Sequence, residues 1–200
     1  MSRSASTPRL QATLWFYLLL VAATAIAGRP QLSPAAGLGL DLLAVLLVGF
    51  AVLGRIWCSV FIAGRKDAEL VSEGPYGLCR HPLYTLSMIG AAGLGAATHS
   101  LLLTGVAISF LVAVFWRAST AEERLLESLH GDRYRHYQQT VPRFVPRGKL
   151  SSAPDQLLVR PPVLWKAFLD GGSFVVLLLL VIAARSLREI GYLPALLALP

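Results

Sequence analysis

The residues best suited to chemistry form two polar clusters. The first lies in the stretch EGPYGLCRHPLY, residues 73–84, which holds Tyr76, Arg80, His81 and Tyr84. Their side chains supply a guanidinium, an imidazole and two phenols, all of which can donate hydrogen bonds to a charged small molecule. Residues of these types also anchor helices at a bilayer surface, so this stretch alone leaves both interpretations open.

The second cluster follows about forty residues later. Glu122 and Glu123 stand side by side in AEERLLESLH, and Tyr134, Tyr137 and Arg143 follow in the segment HGDRYRHYQQTVPRFVP. A pair of glutamates at a helix end is usually solvated, and a tyrosine-rich amphipathic segment usually packs on a membrane surface. Taken alone, this cluster is therefore also a weak functional signal.

Composition indicates what carries these clusters. The chain has 200 residues, of which 55% are hydrophobic and only 14% charged, and its mean hydropathy is +0.61. These values are typical of a polytopic membrane protein. The net charge of +7 comes from basic residues that flank apolar runs, which favours the positive-inside rule over a nucleic-acid partner. Cys58 and Cys79 lack CxxC spacing and a histidine cluster, so we expect neither a metal site nor a disulfide framework.

The apolar runs predict an all-α fold, a polytopic transmembrane bundle of about five spans. The predicted spans are residues 12–27, 35–53, 83–97, 101–118 and 163–184. The first run follows a short polar leader, and a signal peptide is the alternative interpretation of it. Asp41 lies early in the second run, where we expect it to pair or to reach the interface.

The polar segments predict how these helices end. The second helix should continue to about residue 66, and the fourth should run on through residues 119–130 to a cap at Gly131. A short helix is predicted over residues 132–140, before Pro142. A polar linker, residues 148–162, and an apolar tail, residues 190–200, complete the chain.

Two smaller expectations concern the third span and the turn after it. Its many Gly and Ala residues favour close helix packing over room for a cofactor. The turn that follows, Thr98-His99-Ser100, predicts a solvated histidine at residue 99.

Charge predicts the orientation. With the N-terminus in the cytosol, only Arg29, Arg185 and Arg188 of the 18 Lys and Arg residues fall outside. Both polar clusters then face the cytosol, and the protein is expected in an inner or cell membrane. The four tryptophans would form an aromatic belt at the same interface; they are Trp15, Trp57, Trp116 and Trp165.

The two clusters together resemble the isoprenylcysteine carboxyl methyltransferase family, which is related to the phospholipid methyltransferases. The residues that carry the resemblance are GPYGLCRHPLY, residues 74–84, and AEERLLESLHGDRYRHYQQTVPRFVP, residues 121–146. The similarity extends over roughly residues 54–146. On this basis we expect three parts of the chain. Residues 1–53 form two N-terminal spans, residues 54–147 form a methyltransferase core, and residues 148–200 form the linker, fifth helix and tail.

The resemblance implies an integral membrane methyltransferase that uses S-adenosylmethionine and acts on a lipid-like or isoprenylcysteine-type carboxylate. Carried onto this sequence, it implies a cofactor site made of Tyr76, Arg80, His81, Pro82, Leu83, Tyr84, Glu122, Glu123, Tyr134 and Tyr137. The resemblance also implies that a cytosolic C-terminal polar segment caps this site. Arg143 or Arg117 would neutralise a carboxylate acceptor, whereas an amine or phenol acceptor would need a base, for which Glu123 or His81 is the candidate. Lipid-like or prenylated acceptors and membrane lipids are the implied partners.

Two other functions stay open at this point. A sterol-reductase-like enzyme that uses NADPH would need a basic cluster for the 2′-phosphate, and Arg133, Arg135 and Arg147 could form one. A non-enzymatic membrane scaffold is the third hypothesis, although both polar clusters are intact.

Overall fold

The protein folds as a set of α-helices. The computed structural model describes residues 3–26, 32–65, 69–150, 157 and 159–193, and this part of the chain forms seven helices. They are α1 (Arg3–Ile26), α2 (Pro34–Ile62), α3 (Pro75–Leu78), α4 (Pro82–Ala97), α5 (Leu101–His130), α6 (Asp132–Thr140) and α7 (Pro161–Glu189).

Three of the described helices, α2, α5 and α7, are long and apolar enough to cross a membrane. Two shorter apolar helical stretches, Trp15–Ile26 and Pro82–Ala97, match the other two predicted spans. All four tryptophans are exposed, which suits contact with lipid. The prediction of an all-α membrane bundle is confirmed.

Most helix ends lie where local chemistry predicts them. Gly131 follows α5 with a φ of 53°, and its N–H donates to the carbonyl of Glu127 at 2.9 Å. With a ψ of −126°, this conformation is one that glycine, lacking a Cβ atom, adopts without strain. The short helix α6 ends before Pro142, as predicted.

Some boundaries differ from prediction. Helix α1 already begins at Arg3, and α7 begins at Pro161, where a proline at the first helical position loses no hydrogen bond. The short helix α3 lies within the first polar stretch, outside the predicted helices. Residues 151–156 of the linker and 194–200 of the tail lie outside the described residues, so those predictions remain predictions.

The chain divides into two compact units, each assembled from separate segments. Unit 1 comprises Met1–Gly49, Gly90–Val114 and Phe174–Pro200, and unit 2 comprises Phe50–Ile89 and Phe115–Ser173. The division into residues 1–53, 54–147 and 148–200 concerns function and stays a prediction.

In unit 1, the small residues of α4 allow helices to approach closely. A Cβ atom at Gly93 would lie 3.0 Å from the Ala44 carbonyl oxygen of α2, and one at Gly95 would lie 2.8 Å from the Cα of Thr104 on α5. Neighbouring helices therefore occupy this space, and packing, rather than cofactor room, explains the composition. Phe16 of α1 stacks on Phe110 of α5 with ring centroids 4.1 Å apart.

Unit 1 also contains a polar group formed by three of its segments. NH1 and NH2 of Arg185 donate to Oδ1 and Oδ2 of Asp41 at 2.7 and 2.8 Å, so the expectation that Asp41 pairs is confirmed. His99 Nε2 lies 3.0 Å from Asp41 Oδ1, and the His99 side chain is only 9% exposed. The prediction of a solvated histidine at residue 99 was wrong.

In unit 2, a buried cluster fastens α3 and the preceding loop to α2 and α4. Its members are Cys58, Phe61, Val71, Tyr76 and Leu86. Gly74 has a φ of 54° and faces the ring of Phe61 so closely that no side chain would fit there. This packing holds the first polar cluster in place.

Candidate active site

Backbone hydrogen bonds join the two polar clusters in unit 2. The N–H of Arg80 donates to the carbonyl of Pro142 at 2.8 Å, and that of His81 donates to the carbonyl of Arg143 at 3.0 Å. Thr85 Oγ1 also donates to the carbonyl of Phe144, at 2.8 Å. The start of α4 and the segment after α6 are thereby held in a defined register.

Glu123 of α5 is the centre of the resulting site. Its Oε1 accepts from Arg80 Nε at 3.0 Å and lies 3.0 Å from His81 Nε2, and its Oε2 lies 3.3 Å from Arg143 NH2. The Glu123 side chain is only 12% exposed. Hydrogen bonds between ionised groups are stronger than neutral ones, so this carboxylate holds three segments together.

Arg80 connects α5 to α6 through hydrogen bonds. Besides Glu123, its NH1 donates to the carbonyls of Gln138 at 2.9 Å and Val141 at 2.7 Å. These carbonyls belong to the last turn of α6 and the residue after it. The guanidinium therefore directs most of its donors to the protein itself.

Glu122 forms a second, more accessible acceptor beside this centre. Its Oε2 accepts from the hydroxyl of Tyr84 at 2.9 Å, and its side chain is 26% exposed. The ring of Tyr84 stacks between His81, with ring centroids 5.5 Å apart, and Phe115, at 4.9 Å. The stack orients both the imidazole and the phenol.

Three of the four tyrosines assigned to the site, Tyr76, Tyr134 and Tyr137, lie in the interior of unit 2. Tyr134 and Tyr137 of α6 are buried, and the Tyr137 hydroxyl donates to the carbonyl of Tyr76 at 2.6 Å. Burial raises the pKa of all three phenols, so they remain protonated donors at neutral pH. The buried Tyr76 hydroxyl has no hydrogen-bond partner among the residues that the structure describes.

Arg143 lies in an aromatic setting at the edge of the site. Its NH2 donates to Thr120 Oγ1 at 2.6 Å, and its guanidinium carbon lies 4.7 Å from the ring centre of Trp116 and 5.5 Å from that of Phe144. Trp116 is 55% exposed. Cation–π contacts of this kind hold a guanidinium in place without neutralising its charge.

Pro82 and Leu83 contribute backbone rather than functional groups. Pro82 opens α4, and the carbonyl of Leu83 accepts from Ser87 Oγ at 2.7 Å and from Arg55 NH1 at 3.4 Å. Sequence reasoning missed Arg55, which also contacts Ser87 Oγ. It stands alone in an apolar segment, so no neighbouring polar residue drew attention to it.

Sequence reasoning also missed Thr85, Thr120 and Phe144, which contact predicted site residues. Each is adjacent to a polar cluster or lies within one, so their positions were a usable signal. The structure thus brings Arg80, His81, Tyr84, Glu122, Glu123 and Arg143 into one group joined by hydrogen bonds, ion pairs and stacked rings, with the other three tyrosines packed in the interior of unit 2.

Comparison with known proteins identifies the family. Residues 35–133 match the phospholipid methyltransferase family. The nickel-cobalt-cadmium resistance protein NccN of Alcaligenes xylosoxydans xylosoxydans is 34% identical over 78% of this chain and 73% of its own length. The chain belongs to the phospholipid methyltransferase family.

Two further relatives match smaller parts of this chain. The cobalt-zinc-cadmium resistance protein CzcN of Cupriavidus metallidurans (strain ATCC 43123 / DSM 2839 / NBRC 102507 / CH34) is 41% identical over 52% of the chain and 48% of that relative. The protein-S-isoprenylcysteine O-methyltransferase of Schizosaccharomyces pombe (strain 972 / ATCC 24843) is 36% identical over 40% of the chain and 34% of that relative. No solved structure matches the chain.

The family membership and the apolar helices together make this protein an integral membrane methyltransferase. The resemblance to isoprenylcysteine methyltransferases inferred from the two motifs is confirmed. The names of the two resistance proteins do not bear on the substrate.

Proposed function

We propose that this membrane methyltransferase uses S-adenosylmethionine and methylates a carboxylate on a lipid-like or isoprenylcysteine-type acceptor. The observation that carries the proposal is the convergence of two sequence-distant motifs on Glu123, which contacts Arg80, His81 and Arg143 at 3.0–3.3 Å.

The hydrogen-bond donors, acceptors and aromatic rings of the site suit S-adenosylmethionine. A carboxylate on α5, Glu122, is half-buried beside the stacked rings of Tyr84 and His81 and can accept from an ammonium or from ribose hydroxyls. The buried hydroxyl of Tyr76, which has no hydrogen-bond partner among the described residues, is a donor that a ligand would satisfy. Aromatic faces suit both an adenine and a sulfonium. When bound, the cofactor supplies a methyl group on a sulfonium, which is electrophilic without help from a metal.

The contacts of Glu123 favour a carboxylate acceptor over an amine or a phenol. A carboxylate acceptor is already a nucleophile, so the protein needs only to bind it, orient it and exclude water. An amine or phenol would need a base. Of the two candidates, Glu123 is engaged by two guanidinium groups and an imidazole, and His81 directs its Nε2 to Glu123 at 3.0 Å. These contacts stabilise the ionised form of Glu123 and make it a weak base.

Arg143 is suited to bind such an acceptor. Its guanidinium lies beside the exposed ring of Trp116, which a lipid-borne group would reach from the bilayer. Glu123, whose Oε2 lies 3.3 Å from Arg143 NH2, offsets part of the charge of Arg143. We therefore assign Arg143 a role in binding the acceptor rather than in proton transfer.

The decisive experiment is a ligand titration of the purified chain in a neutral detergent. We expect S-adenosylmethionine and S-adenosylhomocysteine to raise the unfolding temperature, because a ligand that binds only the folded state stabilises it. Glu122→Ala should abolish this shift and leave the protein folded. Glu127→Ala, at a glutamate that pairs with exposed Arg135, is the matched control and should behave like the parent.

Other responses to the same titration would reject the proposal. Stabilisation by NADPH alone would favour a reductase, although Arg135 of the predicted basic cluster already pairs with Glu127 and Asp132. No response to any of the three ligands would favour a scaffold.

The charge distribution supports a cytosolic site. Arg133→Cys places a thiol at an exposed position of α6, whereas Cys58 and Cys79 are buried. A membrane-impermeant maleimide should label this variant in inside-out vesicles and leave it unlabelled in intact cells. Labelling in intact cells would contradict the orientation.

A further inference from the structure

The two guanidinium groups that contact Glu123 differ in what they leave for a ligand. Arg80 donates to Glu123 and to two backbone carbonyls, so the protein itself engages its nitrogens. Arg143 contacts the protein through NH2, and its NH1 forms no hydrogen bond with any residue that the structure describes. The Arg143 side chain is 20% exposed. Of the two groups, Arg143 is therefore the one that can donate to a ligand.

Helix α5 contacts the Arg143 guanidinium from three successive turns. Trp116, Thr120 and Glu123 lie at positions i, i+4 and i+7 of this helix, a spacing that places them on one face. The guanidinium carbon lies 4.7 Å from the ring centre of Trp116. Its NH2 lies 2.6 Å from Thr120 Oγ1 and 3.3 Å from Glu123 Oε2. These three contacts fix the position of the guanidinium along α5.

The Thr120 hydroxyl is oriented to accept from Arg143. It donates its own proton to the carbonyl of Trp116 at 2.8 Å, one turn earlier in α5. Because a hydroxyl has a single proton, its oxygen can face Arg143 only as an acceptor. Thr120 therefore binds NH2 without offsetting any of the charge of the guanidinium.

The pairing of Arg143 with Glu123 is correspondingly loose. Charged N–H groups usually approach a carboxylate to about 2.7–2.9 Å. Arg80 Nε lies 3.0 Å from Glu123, whereas Arg143 NH2 stays 3.3 Å away and closer to the Thr120 hydroxyl. Since the attraction between charges falls with distance, Glu123 offsets less of the charge of Arg143 than of Arg80.

We propose that Thr120 is a positioning residue, whose hydroxyl keeps Arg143 from closing onto Glu123 so that NH1 can bind the carboxylate of the methyl acceptor. The inference rests on the function proposed above, which assigns Arg143 to that acceptor. Without the hydroxyl, NH2 has Glu123 as its remaining side-chain acceptor, and the guanidinium moves toward it. The positive charge is then offset within the protein instead of by the ligand.

Binding of two matched probes tests this role without requiring turnover. The probes are N-acetyl-S-farnesylcysteine, which is a carboxylate, and its methyl ester, which is uncharged. Calorimetry on the full chain in a neutral detergent gives both dissociation constants, and their ratio is the preference for the acid. We expect the parent to prefer the acid about ten-fold, the effect of one hydrogen bond between charged groups. Comparing variants in the same detergent removes the contribution of micelle partitioning.

Thr120→Val keeps the β-branched shape and removes the hydroxyl. It should lower the preference for the acid roughly five-fold, because about one hydrogen bond that positions Arg143 is lost. Affinity for the ester should stay unchanged. Thr120→Ser retains a hydroxyl and should restore the preference. Thr140→Val is the matched control: exposed Thr140 also donates to a carbonyl of its own helix, at 3.1 Å, and should behave like the parent.

A double-mutant cycle separates positioning from a loss of packing. In an Arg143→Gln background, which lacks the charge, Thr120→Val should not change the preference for the acid any further. A loss of packing would instead weaken acid and ester alike in both backgrounds, and that result would overturn the inference.

The remaining outcomes distinguish this inference from the proposed function. Equal binding of acid and ester by the parent would overturn the carboxylate acceptor together with the role of Thr120. A preference in the parent that Thr120→Val leaves unchanged, or that Thr120→Ser fails to restore, would overturn only the role of Thr120. Binding of S-adenosylhomocysteine to the same samples reports on the cofactor separately: its absence beside the expected preferences would reject the cofactor and support the role of Thr120.

Discussion

Unit 1 and unit 2 each contain a carboxylate held by cationic side chains, and the two groups differ in how they are built. Glu123 in unit 2 contacts Arg80, His81 and Arg143. Asp41 in unit 1 contacts Arg185 and His99. The first carboxylate is nearly enclosed, with 12% of its side chain exposed, whereas 30% of the second is exposed.

The difference shows which polar sites a sequence reveals. Arg80 and His81 are consecutive, and Glu123 follows another glutamate, so polar residues mark this site even before the fold is known. Asp41, His99 and Arg185 each stand among apolar residues and belong to three separate segments. Each of them has a plausible explanation of its own, so the sequence gives no reason to group them.

Glu123→Ala should have the largest effect of all the variants. It leaves two guanidiniums and an imidazole without their common partner, and breaking a buried ion pair in this way costs about 3–5 kcal/mol of unfolding free energy. Binding of S-adenosylhomocysteine should be lost as well. Thermal unfolding in detergent, with Glu127→Ala as the control, measures the first effect and calorimetry the second. A stable variant that still binds the ligand would remove Glu123 from the centre of the site.

Asp41→Asn should lower stability by about 3 kcal/mol, the lower end of the range for a broken buried pair, because it leaves the buried Arg185 with only the partly exposed Glu189, 3.5 Å from its Nε, as a counter-charge. Unlike Glu123→Ala, it should leave the affinity of the folded protein for S-adenosylhomocysteine unchanged. Replacing both partners, Asp41→Leu with Arg185→Met, should recover most of the stability, since no unpaired charge remains. A loss below 1 kcal/mol for Asp41→Asn, or a weakened cofactor affinity, would contradict the contrast between the two groups.

Tyr84→Phe should have a smaller effect within unit 2. It removes the hydroxyl that donates to Glu122 at 2.9 Å and keeps the ring stack, so we expect a loss of about 1 kcal/mol. Affinity for S-adenosylhomocysteine should fall a few-fold, because Glu122 loses the bond that orients it. Tyr192→Phe, at an exposed tyrosine outside unit 2, is the matched control. Equal behaviour of the two variants would show that this hydrogen bond is unimportant.

The smallest effect concerns alkaline pH. Burial raises the pKa of Tyr76, Tyr134 and Tyr137 above the usual value of about 10. Above that pH the unfolded chain loses these phenolic protons while the folded chain keeps them, so stability should fall as the pH rises further. Ultraviolet titration of the native protein should find at least three of its six tyrosines retaining their protons until unfolding. Ionisation of all six before unfolding would place these rings in contact with solvent.

Local patterns predicted a large share of this structure. The apolar runs placed the membrane helices, and Gly131 and Pro142 marked the ends of α5 and α6, because hydropathy and backbone preference act over a few residues. The two motifs also identified most of the residues around Glu123. Their assignment to a cofactor stays a prediction, which the titrations above address.

What the sequence by itself determined is the membrane bundle, its family and the position of the polar motifs along the chain. Only the tertiary structure decided that Arg80 donates hydrogen bonds to the carbonyls of residues 138 and 141, and that His99 and Arg185 contact Asp41. The physical reason is distance along the chain: the partners of Asp41 lie 58 and 144 residues away. An isolated polar residue in an apolar helix must find a partner, but helix packing determines which one it meets.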